Sequence, residues 1–241
     1  GQYTLNHTCN AATVRVEFTG LPASYQSGPQ GTNSATSVQF VSATASNVNH
    51  GINAPCDYCQ SNPKLVLNYM VSGNQLTNSG ATTRPDTKIV VAFDYNSSGD
   101  ALNFTGLSMA KQVGTTVGLA YQRSSKTIFV ASYMKRHAGF GPGGPGAIYQ
   151  VKPGTDGIPG TADDVTSTFL DLDDAAYFGA NSFGTDPHPT TTEDLDDSPY
   201  NWFHDRFSLD DVGKMSFGDL DVSEDDQTLY TINLYDRALY R

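Results

Sequence analysis

The passage Asp156-Gly157-Ile158-Pro159-Gly160-Thr161-Ala162-Asp163-Asp164 has the residue types that most directly suggest chemistry. Calcium takes about six to eight hard oxygen ligands. A Gly/Pro turn that carries Asp163 and Asp164 back toward Asp156, with backbone carbonyls added, supplies oxygens of that kind, so these three carboxylates are the candidate calcium ligands. The spacing is not that of an EF-hand and its bidentate Glu is missing, which leaves a solvated acidic turn as the competing expectation. Asp171, Asp173 and Asp174 repeat the theme, as do Glu193, Asp194, Asp196 and Asp197; solvated loops are the expectation for both groups. Carboxylates this dense repel one another unless something bridges or screens them.

Other spacings are less productive. Cys56-x-x-Cys59 is half of a zinc site, but zinc needs four ligands and none of His7, His50, His137, His188 or His204 stands at ligand spacing to it. A disulfide is the better expectation for an exported chain. With three cysteines, Cys9 to Cys56, Cys9 to Cys59 and the short Cys56 to Cys59 link are all open. Gly139, Gly141 and Gly144 match G-x-G-x-x-G, yet Pro142, Pro145 and a strand beginning at Ala147 stand where a pyrophosphate-binding helix would have to start. His204-Asp205 beside Trp202 invites a hydrolase reading, but no G-x-S-x-G elbow or H-E-x-x-H helix accompanies it. The Trp202, Phe203 and Phe207 cluster reads as packing, with a carbohydrate platform as the alternative. No catalytic residue and no organic cofactor is expected.

These residues sit in an unusual background. Of 25 acidic residues, 22 are Asp and 3 are Glu, set against 7 Lys and 7 Arg in 241 residues. The net charge of −11 is regional: residues 1–150 carry 9 basic and 5 acidic residues, a net of +4, whereas 151–241 carry 5 and 20, a net of −15. Nucleic acid is therefore excluded as a partner, since binding a phosphate backbone needs clustered Lys and Arg. No apolar run is long enough for a membrane span. Gly at 23 and Pro at 12, with Ser, Thr and Asn between apolar runs, favour short strands and polar loops over helices. The chain opens on Gly1-Gln2-Tyr3-Thr4-Leu5 rather than a leader, and the native polypeptide is expected to extend beyond these residues.

The strands that must position these groups show as alternation. Val14, Val16 and Phe18 alternate with Thr13, Arg15 and Glu17; Val38-Gln39-Phe40 follows a Gly20/Pro22 break, then Leu65, Leu67, Tyr69 and Val71, then Ile89, Val91, Phe93 and Tyr95. Short strands with turns between them predict a sandwich over 1–108. Beyond it the chain repeats itself. Gly118 to Ser132 aligns without a gap on Asp219 to Asn233 at an offset of 101, and a further strand follows each copy, at Ala147–Gln150 and Ala238–Arg241. Two consecutive blades of an incomplete β-propeller are predicted over 109–241, interrupted by an acidic insertion at about 155–211. A propeller needs at least about four blades to close, so these strands require further blades or another chain.

Gly1 to Leu5 with Val14 to Pro22, then Thr36 to Val41, then Asn53-Ala54-Pro55-Cys56-Asp57-Tyr58-Cys59, resemble the closing strands of SdrD B-like repeats, Ig-like prealbumin-type sandwiches of bacterial surface proteins. The passages 114–151 and 212–240 resemble the propeller-like region that follows such repeats. The sequence departs from that pattern in having no Cys after Cys59. The resemblance implies an exported, extracellular or bacterial cell-surface protein with no assigned reaction. It implies partners among other surface subunits or further domains of the same polypeptide. The resulting expectation is an all-β, non-enzymatic structural, adhesive or assembly module, with calcium as a stabilising ion. The alternative is a sugar-binding or hydrolytic propeller whose site lies in blades outside these residues. Asn6-His7-Thr8, Asn96-Ser97-Ser98 and Asn103-Phe104-Thr105 fit the N-glycosylation pattern, which in a bacterial protein is accidental.

Overall fold

Short runs of β-branched and aromatic residues, each closed by Gly, Asn, Asp or Ser, form strands. The structure is a computed structural model that describes residues 2–8, 10–23, 25–28, 30–31, 33–54, 62–77, 84–100, 103–189, 195 and 203–241. Its sheets are all antiparallel and none closes into a barrel among the described residues, so the expected all-β class holds. The chain divides into two compact units, Gly1–Pro63 and Lys64–Arg241. The sequence pattern had put a division near residue 108 instead.

In the first unit β1 (Thr13–Glu17) pairs with β3 (Val38–Ser42), and β2 (Gln26–Ser27) pairs with β4 (Ile52–Asn53). The alternation in β1 is realised: Val14 and Val16 turn inward while Thr13, Arg15 and Glu17 are exposed. β3 runs out of phase with its own composition. Phe40 lies opposite Arg15 and is 73% exposed, while Gln39 lies opposite Val16 and donates to Thr36 O and Asn49 O at 3.0 and 2.8 Å. The partner strand sets the face, because a slip of one residue would turn Val16 outward.

The second unit is built from three meanders. The first sheet contains β5 (Lys64–Asn68), β6 (Lys88–Asp94) and β7 (Thr105–Met109), followed by a single helical turn, α1 (Ala110–Val113). The second contains β8 (Thr116–Gln122), β9 (Thr127–Ser132), β10 (Ala147–Lys152) and β11 (Val165–Asp171) in chain order. The third contains β12 (Phe217–Val222), β13 (Leu229–Asn233) and β14 (Ala238–Tyr240). The repeated passages are the β8–β9 and β12–β13 hairpins, and the strand predicted after each copy is present as β10 and β14.

The three sheets stack in chain order, as consecutive blades do. Every residue of β9 is buried, because the middle sheet is covered on both faces. Ile128 and Val130 of β9, with Tyr149 and Val151 of β10, face Val90, Ala92 and Leu107 of the first sheet. Phe129, Ala131 and Ile148 face Phe217 and Leu220 of the third, joined by Leu172 and Phe183. Close approach of β8 to β12 requires Gly118, where a Cβ would lie 2.9 Å from Gly218 O. The turns of the two repeats are also bonded to each other: Ser124 N donates to Asp226 Oδ2 at 2.7 Å, and Gln122 Nε2 donates to Asp226 O at 2.7 Å.

Two features differ from the sequence reading. Segment 64–108, grouped there with the sandwich, forms a sheet that packs on the middle meander. Val165–Asp171 lies inside the stretch read as an acidic insertion but is the fourth strand of the middle sheet, paired with β10 from Ala147↔Asp171 to Lys152↔Val165. Its Thr-Ser-Thr centre gave no apolar alternation to read, and β10 supplies the ladder.

Phe217 is fully buried between the second and third sheets. Phe217→Ala should lower stability by about 3–5 kcal/mol, whereas Phe40→Ala should change it by no more than about 0.5 kcal/mol, both read as shifts of the urea midpoint at unchanged slope.

Candidate functional site

The predicted turn at 156–164 closes as the sequence requires, with Gly154 and Thr155 leading into it. Gly157 and Gly160 take φ of +66° and +85°, the left-handed values that glycine adopts without strain. Asp163 returns to the start of the turn: its Oδ2 accepts from Thr155 Oγ1 at 3.0 Å and from Asp156 N at 3.2 Å, and its Oδ1 accepts from Thr161 Oγ1 at 2.7 Å. Asp164 Oδ2 accepts from Gly160 N at 2.8 Å, and Asp156 Oδ1 accepts from Ile158 N at 2.8 Å. The Thr161 hydroxyl and then the Asp156 amide hold the Asp163 carboxyl down to about 2.

The three expected ligands are thus brought into one turn, but their oxygens point at the turn's own donors. Among the described residues, no three of the His, Cys, Asp and Glu side chains group so as to hold a metal ion. A calcium ion would have to share these oxygens with hydroxyl and amide donors.

The second acidic group is also spent locally. Asp173 Oδ1 accepts from Phe183 N at 3.0 Å, and burial raises its pKa despite that bond. Asp171 Oδ1 accepts from Asp173 N at 3.1 Å, and Asp174 Oδ1 from Ala176 N at 2.8 Å. Glu193, Asp194, Asp196 and Asp197 lie outside the described residues, as do Trp202 and Cys9, Cys56 and Cys59 with their disulfide alternatives.

A cluster that the sequence reading did not assemble forms around His188, whose side chain is 3% exposed. Its Nδ1 lies 2.7 Å from Asp186 Oδ1, and its Nε2 lies 3.0 Å from Lys135 O and 3.5 Å from Asp205 Oδ2. The edge of Phe140 packs against the ring at 5.5 Å. Carboxylate and carbonyl oxygens only accept, so these surroundings favour the imidazolium form of His188, in which both ring nitrogens donate. Burial, the largest single influence, pulls its pKa down; the Asp186 hydrogen bond, the charges of Asp186 and Asp205 and the Lys135 carbonyl together leave it raised.

Asp205 is the anchor of this cluster. Its side chain is fully buried, its backbone is left-handed at φ +52°, and its Oδ2 accepts from His137 N at 2.6 Å. Its carbonyl accepts from Arg136 Nε at 3.3 Å and from Ser208 Oγ at 2.8 Å. Asp205, the neighbour of His204, thus addresses His188 and the 135–137 turn. Both nitrogens of His188 are committed to acceptors, so neither is open to take a proton from a substrate. The cluster is a strap that ties Asp186, His188 and Asp205 to the loop after β9. Only the isolated residue types were visible in sequence, because Lys135, His188 and Asp205 are far apart in the chain.

No family model matches the chain, and no solved structure matches it. Three curated proteins of Dictyostelium discoideum are similar to it. Colossin-D is 28% identical over 190 residues, which are 77% of this chain and 18% of that protein. Colossin-B is 31% identical over 140 residues, 56% of this chain and 3% of that protein. Colossin-A is 37% identical over 93 residues, 39% of this chain and 1% of that protein. The chain thus spans less than a fifth of each relative's length. These eukaryotic relatives, with the lack of any matching family model, overturn the resemblance to bacterial SdrD B-like repeat proteins and the bacterial source it implied. The passages behind that resemblance are short alternating strands with Gly, Pro and Asn breaks, which any small antiparallel sheet needs, and 55–59 of its cysteine passage lie outside the described residues.

Two predictions follow from this geometry. The Asp163 contribution, from a depressed pKa, is present above the ordinary carboxylate pKa of about 3.9 and is lost as pH falls through about 2. Protease cleavage within 154–164 should therefore rise at low pH and in Asp163→Ala, and stay unchanged when chelator is added at neutral pH; chelator-dependent cleavage would show a cation sharing these oxygens. The His188 pKa is raised, so its contribution is present below about 6.5 and fades as pH rises through the folded value. His188→Gln should remove that pH dependence and cost about 1–3 kcal/mol, read from urea midpoints on both sides of neutrality.

Proposed function

We propose that the chain is a non-enzymatic structural module within a large extracellular polypeptide. The observation that carries this reading is the middle sheet of the second unit, buried on both faces by sheets of the same chain. Such a stack resists deformation, because each sheet's hydrophobic face is closed by its neighbour. The reading is supported by the His188 cluster, whose nitrogens are committed to a strap, and by the small fraction of each similar Colossin that the chain spans. Extracellular placement is supported by the sequons at Asn6, Asn96 and Asn103. All three asparagines are exposed, and the similarity to eukaryotic proteins removes the reason for discounting them.

Hydrogen exchange on the full chain tests the structural reading. Amides of β9 and β10 should exchange only on global unfolding, and addition of an oligosaccharide panel should leave the exposed region around Phe203 and Phe207 unchanged. Saccharide-dependent protection there would favour a carbohydrate-binding module instead. Secretion from a eukaryotic host should yield a chain whose mass falls on peptide N-glycosidase treatment; an unmodified secreted chain would count against the extracellular assignment.

A further inference from the structure

The 241-residue chain contains one Asp-Pro bond, Asp186–Pro187, and the residue that follows it is the buried His188. That bond has its own chemistry. The aspartate carboxyl is one methylene from the carbonyl it would attack, so nucleophile and target sit in one residue and the step is unimolecular. The proline nitrogen carries no hydrogen and leaves as a basic secondary amine once it is given a proton. A bond of this kind breaks when the carboxylate is held in place and an acid stands beside it.

Both conditions are built at 186–188. Asp186 Oδ1 accepts from His188 N at 2.9 Å and lies 2.7 Å from His188 Nδ1, while Oδ2 has no hydrogen-bond partner among the described residues. The Asp186 side chain is 44% exposed, so water reaches it, whereas the His188 ring is held from behind by Lys135 O and by Asp205 Oδ2. Among the described residues the charged groups facing the ring are Asp186 and Asp205, with Arg136 and His137 bonded to Asp205 from the 135–137 turn. Asp156, Asp171, Asp174, Asp225 and Asp236 make the same bond to the amide two residues ahead, and none of them precedes a proline.

We propose that Asp186–Pro187 is a self-cleavage site of the folded chain, with the Asp186 carboxylate as nucleophile and His188 as proton donor. Asp186 Oδ2 attacks the Asp186 backbone carbonyl carbon and forms a cyclic anhydride within that residue. The C–N bond to Pro187 breaks, its electron pair passes to the proline nitrogen, and the His188 imidazolium gives that nitrogen a proton. One water then opens the anhydride to two carboxylates. Its two protons restore the imidazolium and charge the new Pro187 amine, so the net change is hydrolysis of one peptide bond. The pieces 1–186 and 187–241 stay together, because Phe217 and Leu220 of the third sheet remain packed with Phe129, Ala131 and Ile148 of the middle sheet. The structural reading does not depend on this step, and a chain that stays whole leaves it intact.

The test is incubation of the folded full-length chain from about pH 5 to about pH 9, on both sides of the ordinary imidazole pKa of about 6.5, read by denaturing gel and intact mass. The natural chain should give two pieces whose masses sum to the whole plus one water, the smaller beginning at Pro187. The rate should fall as pH rises through the folded value of His188, which is raised, since the imidazolium is the proton source. Hydroxylamine present during the reaction should be found as a hydroxamate on Asp186. Asp186→Ala, at an exposed side chain, should not cleave, and His188→Gln should cleave at least about a hundredfold more slowly. The natural chain unfolded in urea at the same pH should also be slower by about a hundredfold or more, which separates the folded site from ordinary acid lability and keeps the test decisive if His188→Gln does not fold. A natural chain that stays whole throughout the series, cleavage that persists in Asp186→Ala, or a rate that urea leaves unchanged overturns the inference.

Discussion

The second unit depends on one constraint: the middle sheet must be hydrophobic on both faces and must therefore be covered twice. A strand alternates its side chains between faces, so β9 can satisfy this only with an apolar or small residue at every position, and Thr127-Ile128-Phe129-Val130-Ala131-Ser132 is such a run. From that follow the first sheet on one side and the third on the other. The glycine at 118, which lets β8 lie against β12, and the bonds between the two repeat turns follow as well. A one-residue slip in β9 would exchange Phe129 with Ile128 or Val130 between two cores of different shape, so both neighbours fix its register.

Legibility in the sequence followed this constraint. Strands whose own residues state their environment were visible: β1 by strict alternation, the two repeat hairpins by their mutual likeness, and β10 and β14 by their position after each copy. Elements whose environment is set by a partner were not. Val165–Asp171 is held by β10 and reads as polar, and Phe40 faces outward because β1 opposes it with Arg15. The stacking of segment 64–108 onto the middle meander was hidden for a similar reason, since the first sheet shares no readable repeat with the other two and its attachment is purely a matter of packed faces.

The candidate site divided along the same line. The turn at 156–164 was readable because every group in it lies within a few residues of its partner, and glycine supplies the backbone angles that close it. The strap at His188 was unreadable because its partners come from 135, 186 and 205, brought together only after β9 and the loop that follows it are packed. Asp205 is half satisfied: its buried Oδ2 meets the His137 amide and the His188 ring, while its buried Oδ1 has no hydrogen-bond partner among the described residues. Phe140, packed on the His188 ring, belongs to a small buried cluster with Met134 and Met215, separate from the two cores between the sheets.

The excess of Asp over Glu has a cause of the same local kind. An aspartate oxygen can accept from the amide two residues ahead and so fix a turn; glutamate, one methylene longer, closes that ring less well. Asp156, Asp171, Asp174, Asp186, Asp225 and Asp236 all make this bond, to the amides of Ile158, Asp173, Ala176, His188, Gln227 and Ala238. Asp171 ends β11 and the other five lie in connections of the second and third sheets, where short strands must be joined by tight polar turns. At Asp225 the Ser223 hydroxyl and then the Gln227 amide hold the carboxyl below its ordinary pKa. Six of the 20 acidic residues that give 151–241 its net of −15 are thus aspartates that fix a local turn.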